Sequence, residues 1–193
     1  MIKNLFTSYP FGKLTEQKHK ALEFVLHKLE LSSIQQQKQQ AYVLATLFIE
    51  TAQTYEPVIE GYWLKPNRIQ RLLNYYTVHN PKALKTIFPN GVNGVNYVGR
   101  GFVQITHDFN YKTFGQKLNI DLLHNPDKAL EPEIAWNIAE LGMTKGLFTG
   151  KKLDDYFNEE ETDWLHARRI INGLDRHVEI SEIAQKIYHC IAQ

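Results

Sequence analysis

Between Asn90 and Gly101 the chain holds four glycines and three asparagines. Few regular elements tolerate that density, because glycine loses the most conformational freedom on ordering and asparagine diverts hydrogen bonds to its own side chain. Directly after it comes a short β-prone run, Phe102 to Thr106, and on both sides apolar residues recur at helical spacing. The pattern predicts helices around one glycine-rich loop with a small hairpin or strand. The fold class is therefore mainly α with a minor β element.

The helical segments can be placed one by one. Thr15 can cap a helix through Ala21, Leu22, Val25, Leu26 and Leu29, and Ser33 with Gln36 forms the S-x-x-Q pattern of a capping box before Tyr42, Leu44, Ala45, Leu47 and Phe48. Glu50 falls at the end of that second helix. From Gln53 to Lys65 periodicity is lost around Pro57 and Gly61, which predicts a loop. Short helices follow near Ile69 to Leu73 and from Pro81 to Phe88. Asp108 reads as the cap of a helix to Leu118, Pro132 as the start of one to Leu147, and Thr162 as the cap of one ended by Gly173. A last helix spans Val178 to Ala192.

At 193 residues the chain is long enough for one sizeable core, so a single domain over 1–193 is expected. Lys and Arg total 22 against 21 Asp and Glu, which leaves no global basic field and predicts no nucleic-acid partner. Eight scattered histidines and one cysteine, Cys190, supply neither paired metal-ligand spacing nor an internal disulfide, and a buried structural thiol is expected. Neither a metal nor a cofactor is predicted. Gly99-Arg-Gly101 is followed by Gln104 rather than glycine, so the dinucleotide and phosphate-loop patterns fail, and no G-x-S-x-G elbow exists. No apolar run reaches the ~18 residues of a membrane span. Met1 to Phe11 carries Pro10 and no apolar h-region, so the expectation is synthesis in the cytoplasm without a Sec signal, any outside target being reached by separate release or export.

Three glutamates remain to be placed: Glu50 at a helix end, then Glu56 and Glu60 on the following loop. Glycoside hydrolysis needs two carboxyl groups, one donating a proton to the leaving oxygen and one activating water or attacking the anomeric carbon. Solvated surface glutamates would show the same spacing. Spacing leaves both readings open.

Two segments carry a resemblance. Ala41-Tyr-Val-Leu-Ala-Thr-Leu-Phe-Ile-Glu-Thr51, continuing to Glu60, resembles the A-x-x-L-A-x-x-x-H-E-T helix and loop of family 19 glycoside hydrolases, which comprise chitinases and lysozyme-type endolysins. Tyr97-Val-Gly-Arg-Gly-Phe-Val-Gln-Ile-Thr-His-Asp-Phe-Asn-Tyr111 is similar to their Y-x-G-R-G-x-x-Q-[IL]-[ST]-x-x-x-N-Y signature. Ile120 to Asp127 and Ala167 to Gly173 add shorter matches. Ile49 departs from the pattern, standing where the family has His before its acid.

The resemblance implies a lysozyme-like bilobal domain with a sugar cleft. It also implies an inverting reaction, in which the two carboxyl groups stand ~6.5–9.5 Å apart. Glu50 matches the general acid, Glu60 the general base, and Thr106 the residue that helps hold the nucleophilic water. Gln104, Asn110 and Asn172 match sugar-binding or water-orienting positions. Tyr97 and Trp63 are further substrate-binding candidates, although aromatic side chains also fill cores; Arg100 and Arg169 can be structural. Peptidoglycan and chitin-like polysaccharides are both β-1,4 polymers of N-acetylated sugars, so the same residues serve either. Plant-type chitinases of the family carry a signal peptide and several disulfides. A chain with Cys190 alone looks instead like a monomeric phage or bacterial endolysin, released through a holin and acting on the cell wall in the periplasm.

Overall fold

The computed structural model describes residues 4–91 and 93–192. Along the chain run α1 (Asn4–Thr7), α2 (Glu16–Leu31), α3 (Gln37–Glu50), β1 (Val58–Ile59), α4 (Arg68–His79), α5 (Leu84–Ile87), β2 (Arg100–Gly101), α6 (Asp108–Leu118), α7 (Pro132–Lys145) and α8 (His177–Ile191), with short 3₁₀ turns between them. The mainly helical class with a minor β element is what the sequence predicts. Two compact units form: residues 1–56 with 139–193, and residues 57–138.

The first unit is built on α3. Every residue from Gln39 to Ile49 is buried, because the helix is apolar on nearly all sides and its few polar members bond internally. The Gln39 amide donates to Asp154 Oδ1 at 2.9 Å and to the Phe157 carbonyl at 3.0 Å. Helix α8 packs along α3 and buries Ile180, Ala184, Ile187 and Ile191, a helical stripe whose isoleucines each contribute ~1.5–3 kcal/mol of transfer free energy. Thr15 caps α2, its hydroxyl accepting from Lys18 N at 3.3 Å.

The second unit packs Leu72 of α4, Ala83, Ile87 and Phe88 around Val98. Its ribbon is antiparallel, with Val58 opposite Gly101 and Ile59 opposite Arg100. Gly101 has φ +94°, and a Cβ there would stand 3.0 Å from the Ala129 carbonyl oxygen, so conformation and space both demand glycine.

Several local expectations are corrected. The ribbon partner lies in the loop predicted after α3, whereas Phe102 to Thr106 turns back so that Arg100 and Ile105 exchange backbone hydrogen bonds of 3.2 and 3.0 Å. The capping box before α3 does not form, because Ser33 gives its N–H and hydroxyl to Glu140 Oε1 at 2.9 and 3.0 Å. Asp108 is the first residue of α6, with His107 in the cap position. Helix α7 stops at Lys145 because Gly146 turns left-handed at φ +68°. The segment predicted as a helix capped by Thr162 makes only a 3₁₀ turn, His166–Ile170. Cys190 is half-buried and donates to the Ser8 carbonyl at 3.2 Å.

Candidate functional site

In the first unit, Glu50 closes α3, where the carboxylate faces the negative end of the peptide dipoles. Its partner is Arg168, whose Nη1 stands 2.6 Å from Glu50 Oε1, with 5% and 17% of the two side chains exposed. Arg168 is itself aimed by Nε, which donates to the Asp175 carbonyl at 3.0 Å. The pairing fixes Glu50 at the end of a helix whose preceding residues Phe48 and Ile49 are buried. Tyr42 is fully buried beneath, its hydroxyl without a hydrogen-bond partner among the described residues. Burial pushes that phenol well above its usual range; Arg168 pulls the other way and Glu50 adds to the rise. Asn172 is exposed on the same unit, its side chain accepting from Gly173 N at 2.8 Å.

In the second unit, Glu60 follows β1 and is held from two sides. Tyr76 of α4 donates its hydroxyl to Oε1 at 2.8 Å, and the Gly99 N–H donates to Oε2 at 2.9 Å. The Glu60 N–H returns a bond to the Gly99 carbonyl at 2.8 Å, so the carboxylate is locked to the glycine-rich turn. Burial, then the Glu60 carboxylate, push the Tyr76 phenol well above its ordinary range.

That turn gathers the other candidates. Gln104 donates to the carbonyls of Val58 and Gly101 at 2.8 and 2.9 Å, Thr106 donates to the Gln104 carbonyl at 3.1 Å, and Asn110 donates to the Thr106 carbonyl at 2.7 Å. A Cβ on Gly99 would meet Gln104 Oε1 at 2.8 Å and Thr106 Oγ1 at 3.3 Å. The side chains of Gln104, Thr106 and Glu60 thus crowd around one glycine, with Asn110 tied to the Thr106 carbonyl. Arg100 braces them from behind, 4% exposed, bonding Asp127, Asn96, Val98 and Tyr111. Tyr97 is buried and donates to the Leu123 carbonyl at 3.0 Å, so it lies in the wall of the unit. Trp63 is 67% exposed, its ring edge-on to Tyr62 at 5.0 Å. Glu56 accepts from the Gln17 amide at 2.8 and 3.0 Å and stands outside this group.

Sequence reasoning missed Arg168 and Tyr76. The signal for Arg168 was present in Arg168-Arg169, but only the 3₁₀ turn decides which guanidinium is buried. Among the described residues no cluster of His, Cys, Asp and Glu could hold a metal, and no helix is long and apolar enough to cross a membrane.

The mainly helical fold and the braced glycine turn resemble those of family 19 glycoside hydrolases over part of the chain. The model of glycoside hydrolase family 19, class I chitinases, matches residues 77–144, which include Gln104, Thr106 and Asn110 but neither glutamate. The match agrees with the resemblance read from the sequence. An endochitinase of Solanum tuberosum is 45% identical over 47 residues, 24% of this chain and 14% of that protein. Chitinase 11 of Oryza sativa subsp. japonica is 43% identical over 44 residues, 22% of this chain and 17% of that protein. The chain thus matches well under a fifth of the length of these relatives. Chitinase C from Streptomyces griseus HUT6037 shares the fold, with a TM-score of 0.61 at 19% identity over 100% of this chain and 76% of that one. A bacterial family 19 chitinase aligns with a TM-score of 0.51 at 20% identity, covering 97% and 94%.

Proposed function

We propose that the chain is a glycoside hydrolase that cleaves β-1,4 bonds between N-acetylated amino sugars, with peptidoglycan as its substrate. The observation that carries the reading is the holding of Glu60: both carboxylate oxygens accept fixed donors, Tyr76 and the Gly99 N–H, beside Thr106 and Gln104 at positions that match the family signature. In the proposed reaction Glu50 gives its proton to the glycosidic oxygen as the bond to the anomeric carbon breaks. Glu60 takes a proton from the water that attacks the opposite face, and the product is inverted. Preorganisation of this kind saves the cost of reorienting groups during the step. Gln104 gives both of its amide N–H groups to backbone carbonyls and Asn110 gives one, and their amide oxygens can accept from sugar hydroxyl or N-acetyl groups.

Chitin is the second reading, favoured by the names of the relatives. Against it stands Cys190, alone among 193 residues, which rules out a disulfide framework within this chain. One parallel assay separates the two: purified protein on outer-membrane-permeabilised Gram-negative cells and on colloidal chitin. Lysis with little chitin turnover supports peptidoglycan; chitin turnover without lysis makes it a chitinase. Mass spectrometry of digested walls distinguishes hydrolysis, which adds water, from a lytic transglycosylase, which leaves anhydro ends. Tight wall binding with no release of reducing ends would instead indicate a non-catalytic glycan-binding module. The proposed site of action is the cell wall after holin-type release, so co-expression with a holin should lyse cells that tolerate the enzyme alone.

A further inference from the structure

Charge is distributed very unevenly along this nearly neutral chain. Residues 61–107 contain Lys65, Arg68, Arg71, Lys82, Lys85 and Arg100 and not one Asp or Glu, so all 21 acidic residues lie elsewhere. Arg100 is buried and paired with Asp127. The other five form no salt bridge among the described residues, and Lys65, Arg71, Lys82 and Lys85 are exposed. Arg68, Arg71, Lys82 and Lys85 gather on one structural piece, because α4, the 3₁₀ turn Pro81–Ala83 and α5 pack on one another.

On α4 the spacing i, i+3, i+7 puts Arg68, Arg71 and Tyr75 along one stripe. Tyr75 is 53% exposed and stacks on His79, the next member of the stripe, at 4.4 Å. Arg68 keeps a buried Nε with no hydrogen-bond partner among the described residues. The adjoining residue Tyr76 holds the carboxylate of Glu60. The basic stripe therefore runs along the same helix that holds the proposed base.

We infer that this face of α4 and α5 binds the carboxylates of the lactyl-peptide branches of an anionic glycan, a charge that neutral chitin lacks. The inference rests on the peptidoglycan reading above and names how that substrate is recognised. Unpaired cations on a surface raise the local concentration of an oppositely charged polymer without any change in net charge. Arginine in addition offers a planar fork to a carboxylate, and the exposed Tyr75 ring offers an apolar face beside it.

The test uses the full chain carrying Glu50→Gln, so that binding is read apart from cleavage, on purified sacculi whose carboxyl groups are either native or capped as neutral amides. At low salt, native sacculi should be bound about tenfold more tightly than capped sacculi or colloidal chitin. The triple variant Arg71→Gln, Lys82→Gln, Lys85→Gln should lose that preference while keeping its melting temperature. Equal binding to native and capped sacculi overturns the inference, as does a triple variant that binds like its parent. Tighter binding to a single-stranded DNA oligonucleotide than to sacculi overturns it too, by assigning the face to nucleic acid. A chain that cuts only chitin yet keeps the carboxylate preference would sink the peptidoglycan reading and leave the surface standing.

Discussion

Glu50 and Glu60 are held by chemically different partners, a guanidinium in one unit and a phenol with a backbone N–H in the other. Substitutions should therefore fail in different ways. Glu50→Gln keeps the shape and one acceptor oxygen, so the fold should survive while turnover falls by ~10²–10⁴-fold or more, the usual loss with a proton donor. Retained activity in a purified Glu50→Gln protein would remove the central assignment. Glu56→Gln, beside Gln17, should lose little. Tyr76→Phe keeps the ring against Phe88 and deletes one bond to Glu60; kcat should drop with KM and melting temperature nearly unchanged, and a drop in melting temperature alone would make Tyr76 merely structural. Acid sensitivity has a named contributor in His107. Burial holds its imidazole below the ordinary value, against smaller upward pulls from Asp108 and Glu60. The folded chain then takes up this proton less readily than the unfolded one, so the stability it contributes is present above about pH 6.5 and is lost as pH falls through the folded value. His107→Asn should flatten the acid side of a melting-temperature profile. At this scale the grouping of Glu60, Gln104 and Thr106 at the glycine turn was open to a reading of local motifs. Arg168 and Tyr76 were not, since they reach their carboxylates across 118 and 16 residues.

Elements were legible where a single helix decides its own ends. Thr15 was read as a cap and caps α2, so Thr15→Ala should cost ~1 kcal/mol, measured by denaturant unfolding. Where a partner far along the chain competes, local reading fails. Ser33 prefers Glu140, 107 residues away, to a capping box, and α3 begins at Gln37 without a side-chain cap because tertiary burial of its apolar faces suffices. The strand expected at Phe102 to Thr106 has the right residue types, but Arg100 and Ile105 bond across it and its apolar members turn inward as a tight loop. Glycine spacing gave the turn, whereas the identity of its strand partner, Val58–Ile59, is a pairing across some forty residues that no local pattern encodes. Gly99→Ala tests that turn: the added methyl group meets Gln104 and Thr106, so activity should fall more than stability does.

Over the whole molecule, the helical class was readable from apolar periodicity, while the division into residues 1–56 with 139–193 and 57–138 was not, because no composition shift or linker marks residues 56–57 or 138–139. Charge follows the same rule. A net charge of +1 describes the chain as a whole, yet it averages away a segment, 61–107, whose Lys and Arg have no Asp or Glu among them. The two descriptions predict different salt responses. If attraction to the wall came from net charge, ionic strength would matter little to so nearly neutral a chain. If it comes from the α4–α5 face, the field is local and its reach is the Debye length, ~30 Å at 0.01 M salt and ~8 Å at 0.15 M. Wall degradation by the wild-type chain should then slow several-fold as salt rises through that range, whereas turnover of neutral chitin oligomers by the same preparation should stay nearly flat. Initial rates on the two substrates across one salt series are sufficient. Parallel curves would place the attraction outside the basic face, and diverging curves would tie the substrate preference to the charge asymmetry of the chain.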